Sequence, residues 1–87
     1  MSPGSKLASE RAVWTGKRTV THIVGRYMYG QPRITSNVGG TRVQVSHNSG
    51  ANMTIIVTVA KNVRRGVHIF TVTFKHGQVF HVSYNQR

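Results

Sequence analysis

Among 87 residues there is one acid, Glu10, and no cysteine. The first scarcity closes off much enzymatic chemistry. Two-metal nucleases hold their ions through several carboxylates, and glycosidases normally work with an acid pair. A carboxylate-oriented triad needs an acid behind its His, and Asp is missing altogether. Without cysteine there is neither a disulfide framework nor a thiolate metal site. The five His residues show no HxH or HExxH spacing, and cationic surroundings oppose a metal ion. No catalytic residue, metal ligand or cofactor is assigned from the sequence.

Long apolar runs are missing too. None approaches the roughly 20 residues of a membrane span, and the opening MSPGSKLASE lacks the apolar stretch of a signal peptide. The expectation is a chain without an export signal, cytoplasmic or virion-associated. Residues 1–10 read as a flexible arm and residues 11–87 as a single domain. A chain of this size buries only about 60 to 65 % of the surface that its unfolded form exposes.

What the chain has is positive charge. Twelve Lys and Arg against one acid give a net charge of +11. Such a chain repels itself and disfavours the compact state unless a polyanion neutralises it. Eight of the twelve are Arg, whose planar fork suits bidentate phosphate contacts and stacking on bases. The partner expected is nucleic acid. RNA or single-stranded DNA is favoured over duplex, because no basic recognition helix is visible.

From Arg11 onward Val, Thr, Ile and aromatics alternate with polar residues between glycine-rich breaks, which predicts strands. Their expected spans are Arg11 to Thr15, Arg18 to Val24, Arg33 to Val38, Thr41 to His47, Met53 to Ala60, Val67 to Phe74 and Val79 to Tyr84. A short helix over Ser5 to Val13 is the one rival. Gly16-Lys17, Gly39-Gly40 and His76-Gly77 read as two-residue hairpin turns. The fold class expected is all-β: a small antiparallel sheet meander, closing as a barrel or pairing as a sandwich, and self-associating.

With Gly39-Gly40 as a turn, one face of the hairpin collects Ile34, Val38, Val43 and Val45, and the other Arg33, Thr35, Asn37, Arg42 and Gln44. With His76-Gly77 as a turn, the hairpin around FTVTFKHGQVFHVSY is largely apolar on both faces: His68, Phe70, Val72, Phe74, Val79 and His81 on one, Val67, Ile69, Phe80, Val82 and Tyr84 on the other. That points to a central position or to burial against a second copy of the chain.

In a meander, alternate turns share an end, which gathers Lys17, Arg18, Lys61, Arg64 and Arg65 beside Gly39-Gly40. Arg33 and Arg42 extend the cationic surface. Arg26, Tyr27 and Tyr29, in a segment flanked by Gly and Pro, offer stacking for unpaired bases. Trp14 is expected in the core and Tyr84 at an interface. These ten residues, from Lys17 to Arg65, form the candidate nucleic-acid surface. Two other readings stand beside it: a virion or assembly subunit packaging nucleic acid, and a metal-independent ribonuclease using His22, His47, His68, His76 or His81.

Overall fold

The computed structural model describes residues 6–7, by their backbone, and 12–87. It is all-β, with no helix among the described residues. The strands are β1 (Lys6–Leu7), β2 (Arg18–Met28), β3 (Arg33–Ser36), β4 (Thr41–Asn48), β5 (Gly50–Val59), β6 (Gly66–Thr73) and β7 (Val79–Gln86). Beyond Lys6–Leu7, the expected arm and the rival helix over Ser5 to Val13 fall mostly outside the described residues.

Two sheets form, in the orders β1-β2-β5-β4 and β3-β6-β7, with all strand pairs antiparallel. They face each other as a sandwich and do not close into a barrel. The order is not that of a meander. The chain crosses between sheets after β2, β3 and β5, which separates strands that are consecutive in sequence. Residues 12–15 also run along the free edge of β7, with a parallel bridge between Val13 and Gln86. Four strands against three, in the order A-B-E-D and C-F-G, is the arrangement of the constant-type immunoglobulin sandwich.

Alternation explains the two-layer core. In β7 exposed and buried residues alternate along all eight positions, and β2 alternates through its first half. Strands rich in Val, Ile and Thr fit a pleated surface buried on one side. From one sheet Ile23, Met53, Ile55, Val57 and Val59 point inward, and from the other Phe70, Val72, Phe74, Phe80, Val82 and Tyr84. Phe70 and Tyr84 stack with ring centroids 3.8 Å apart, and Phe74 meets Phe80 edge-on at 5.7 Å. The buried side chains each contribute about 1.5 to 3 kcal/mol through removal from water.

Three expected turns are different in the structure. Gly16-Lys17 and the segment 37–40 cross from one sheet to the other; β3 pairs with β6 and β4 with β5. A two-residue primed turn at Gly39-Gly40 would need positive φ at Gly39, and of the two only Gly40 adopts it. Asn37 instead keeps the chain on β6 through Asn37 N to the Ile69 carbonyl (3.0 Å) and Ile69 N to Asn37 Oδ1 (2.9 Å). The predicted faces hold except at Val38: Ile34, Val43 and Val45 pack against the core and Val38 does not, while Arg33, Thr35, Arg42 and Gln44 are exposed.

The β6–β7 turn contains three residues, Lys75-His76-Gly77. Phe74 N donates to the Gln78 carbonyl at 2.9 Å, and Gly77 N to the Phe74 carbonyl at 3.0 Å. Gly77 alone takes a left-handed conformation, at φ 98°. This avoids the positive φ that a two-residue turn asks of His76. The extra residue shifts β7 by one and so turns its side chains over. His68 now faces Tyr84, Phe70 faces Val82 and Val72 faces Phe80, all inward. The hairpin is amphipathic, and Phe70 and Phe80 belong to the core of one chain, not to a subunit interface.

Candidate functional site

One end of the sandwich is built from Gly16-Lys17, residues 37–40 and residues 60–65. Val59 N donates to the Lys17 carbonyl at 3.1 Å and Ala60 N to the Gly40 carbonyl at 2.9 Å, tying the three segments together. The stem of Lys61 lies over Gly16, where a Cβ would come within 3.1 Å of Lys61 Cγ. Gly40 is equally confined, since a Cβ there would stand 2.8 Å from Val63 Cγ2. Lys17, Lys61, Arg64 and Arg65 are exposed at this end.

The adjoining sheet adds a rung of charge. β5 lies between β2 and β4, and its Thr58 pairs with Arg18 on one side and Arg42 on the other. All three residues are exposed. Their Cα atoms span about 10 Å, twice the spacing of neighbouring antiparallel strands. The sandwich is 18 Å across in its two short dimensions, so the cations of this end stand within about two Debye lengths at physiological salt. Residues 12–87 contain no acid, so no side-chain carboxylate neutralises this group from within the described residues.

Two buried side chains hold Arg64 in place. Gln86 Nε2 donates to the Arg64 carbonyl (3.1 Å), the Val63 carbonyl (3.4 Å) and Thr15 Oγ1 (3.2 Å). His68 Nε2 lies 2.6 Å from the same Arg64 carbonyl, which can only accept, so the proton is on Nε2. Gln86 was not a candidate from sequence, and His68 was one only in the ribonuclease reading. An isolated Gln next to the last residue carries no pattern, and only the alternation of β7 hints that it points inward.

Arg26, Tyr27, Tyr29 and Arg33 lie at the opposite end. The regular pairing of β2 with β5 breaks between Val24 and Met28. Within the break Tyr27 has φ 59°, a conformation bulky residues rarely take. Tyr27 and Tyr29 are 65 % and 67 % exposed. Tyr29 rests on Gly50, whose φ of 90° and lack of Cβ leave room for the ring. Arg26, Tyr27, Tyr29, Gly50 and Ala51 surround a shallow hollow. Asn48 braces it: Nδ2 donates to the Met28 carbonyl and, at 3.0 Å, to the Gly30 carbonyl, while Oδ1 accepts from Gly50 N at 2.9 Å. Arg33 opens β3 in the other sheet.

The ten candidates therefore divide. Lys17, Arg18, Arg42, Lys61, Arg64 and Arg65 gather at one end, and Arg26, Tyr27, Tyr29 and Arg33 at the other, along a long axis of 34 Å. The histidines do not converge. His68 is inside, His22 and His47 flank Thr54 on the outer face of the four-stranded sheet, and His76 and His81 are exposed on the β6–β7 hairpin. Trp14, expected in the core, is 46 % exposed. Tyr84 is inside, its hydroxyl 2.5 Å from Ser36 Oγ, and burial pushes the phenol pKa up while the Ser36 and Thr41 hydroxyls partly offset the rise. Among the described residues no His, Asp or Glu cluster has the size to hold a metal, and no helix is long and apolar enough to cross a membrane.

No family model matches the chain, and no curated protein does. Among solved structures it is similar to the crystal structure of the S-layer protein SbsC domains 4 and 5, with 18 % identity and a TM-score of 0.50 over 98 % of this chain. The likeness is one of fold. The chain spans about half of that structure, 53 % of its length.

Proposed function

We propose that the chain is a nucleic-acid-binding β-sandwich that holds phosphates at its cationic end and takes RNA or single-stranded DNA. The observation that carries this reading is the rung Arg18–Thr58–Arg42, continued by Lys17, Lys61, Arg64 and Arg65 on the loops of the same end, without an opposing acid among the described residues. Six cations on one end attract a polyanion, and four of the six are Arg. Among the described residues no helix is present to enter a major groove, which supports single strands over duplex. Binding is better supported than cleavage, since the histidines are scattered and one is buried.

Self-association belongs to the same reading, and a subunit that packages nucleic acid is the alternative to it. Val67, Ile69 and Val79 stand outward on the three-stranded sheet, Val67 next to the cationic end and Val79 near the opposite one, and offer an apolar contact between copies.

The test is a titration of a labelled RNA or DNA single strand across about 50 to 200 mM salt, where affinity is expected to fall steeply. Arg18→Ala and Arg42→Ala should each make the salt slope shallower by about one unit. Native mass measurement of the same mixtures reports the stoichiometry. Affinity indifferent to salt, or unchanged in the two variants, overturns the reading.

A further inference from the structure

We propose that the outer face of the four-stranded sheet is a continuous track for an extended single strand, with phosphates at the Arg18–Arg42 rung and an unpaired base stacked on Tyr27 and Tyr29 at the far end. This rests on the phosphate-binding reading above and extends it from an end of the molecule to a face.

The track follows from the register. β2 runs from Arg18 to Met28, about 33 Å at 3.3 Å per residue, which is the long dimension of the molecule. Successive outward rows cross β2, β5 and β4 about 6.6 Å apart. The first is Arg18, Thr58 and Arg42; the second Val20, Ile56 and Gln44; the third His22, Thr54 and His47. Val20 is 42 % exposed, so the middle row offers an apolar floor between two rows able to donate hydrogen bonds. Val24 and Asn52 continue the face to the hollow lined by Arg26, Tyr27, Tyr29, Gly50 and Ala51. None of these residues is an acid.

The far end is organised in advance of any ligand. The ring of Tyr29 lies against Gly50 while the residue stays 67 % exposed, and the Asn48 hydrogen bonds fix the loop that carries it. Rings held in this way lose little freedom when a base stacks on them. Arg26 beside them adds a planar cation that stacks on bases and meets phosphate. A duplex keeps its bases stacked inside and cannot present one to the tyrosines, whereas a single strand can.

The experiment compares oligothymidylates of about four and about twelve nucleotides, lengths chosen to engage one end or both. The Arg18→Ala/Arg42→Ala variant should weaken both lengths. The Tyr27→Ala/Tyr29→Ala variant should weaken the longer strand about tenfold or more and leave the shorter one unchanged. Tyr27→Phe/Tyr29→Phe, which keeps the rings, should bind as the wild type does and shows that any loss comes from the missing ring face and not from misfolding. If the alanine pair at the tyrosines binds the longer strand as tightly as the wild type, the track is overturned while the phosphate end stands. If no strand binds the wild type in a salt-dependent way, the phosphate-binding reading fails and the track fails with it.

Discussion

Tyr84 shows how one residue links packing to pH. Its ring stacks on Phe70, and its hydroxyl reaches Ser36 on β3, two strands away in the sheet. Burial disfavours the phenolate, so the pKa lies above the ordinary 10.0. The folded state then holds the proton more tightly than the unfolded chain. The stabilisation from the neutral phenol is complete below pH 10 and is lost as pH rises through the raised value. Tyr84→Phe should cost about 1 kcal/mol at neutral pH through the lost hydrogen bond. The gap between wild type and variant should shrink above pH 10, as read from urea midpoints at neutral and alkaline pH. A gap that does not narrow would show that the hydroxyl ionises as freely inside the fold as outside. At this scale the exposed cations were legible in the sequence, because an unpaired Arg in a small domain stays in water. The inward turn of Gln86 was not, and neither was the exposure of Trp14, which depends on residues 12–15 lying along an edge of β7.

At the scale of elements, alternation located β2 to β7 within a few residues, because the pleat itself has a period of two. It could not identify partners. Ile34 and Val43 face the same core whether their strands pair within one sheet or oppose each other across the sandwich, and the same polar residues remain outside. Turn length was the other unreadable quantity. One residue more in the β6–β7 turn decides whether Phe80, Val82 and Tyr84 line the core or the surface. Gly77, at φ 98°, makes the three-residue turn possible. Gly77→Ala should therefore destabilise the protein by about 1 to 2 kcal/mol. Chemical denaturation is the measurement, with a lower midpoint and an unchanged m-value expected. An alanine tolerated there without loss would mean that the turn is not held in the left-handed region.

For the whole molecule, charge and shape act together. At about 10 mM salt the Debye length is about 30 Å, close to the 34 Å length of the sandwich, so nearly all the cations repel one another. At about 150 mM it is about 8 Å, and repulsion is confined to neighbours. The melting temperature should rise with sodium chloride across this range, and rise further when a phosphate-rich single strand is present, since a ligand of the folded state stabilises it by mass action. Scanning calorimetry checks both. A melting temperature that falls with salt would mean that net attraction among the charges, despite +11, helps to hold the fold.

The all-β character, the positions of most strands and the large excess of positive charge were already set by the amino-acid sequence, because each depends on composition or on a local period. The pairing of the strands in three dimensions was needed to show that the sheets form an immunoglobulin-type sandwich, that Arg18 and Arg42 flank Thr58, and that the tyrosines stand a molecule's length from the main cationic group. Those facts depend on which strands meet. Strand pairing is chosen by the crossings between sheets and by the burial of the whole inner surface at once, not by any short stretch of chain.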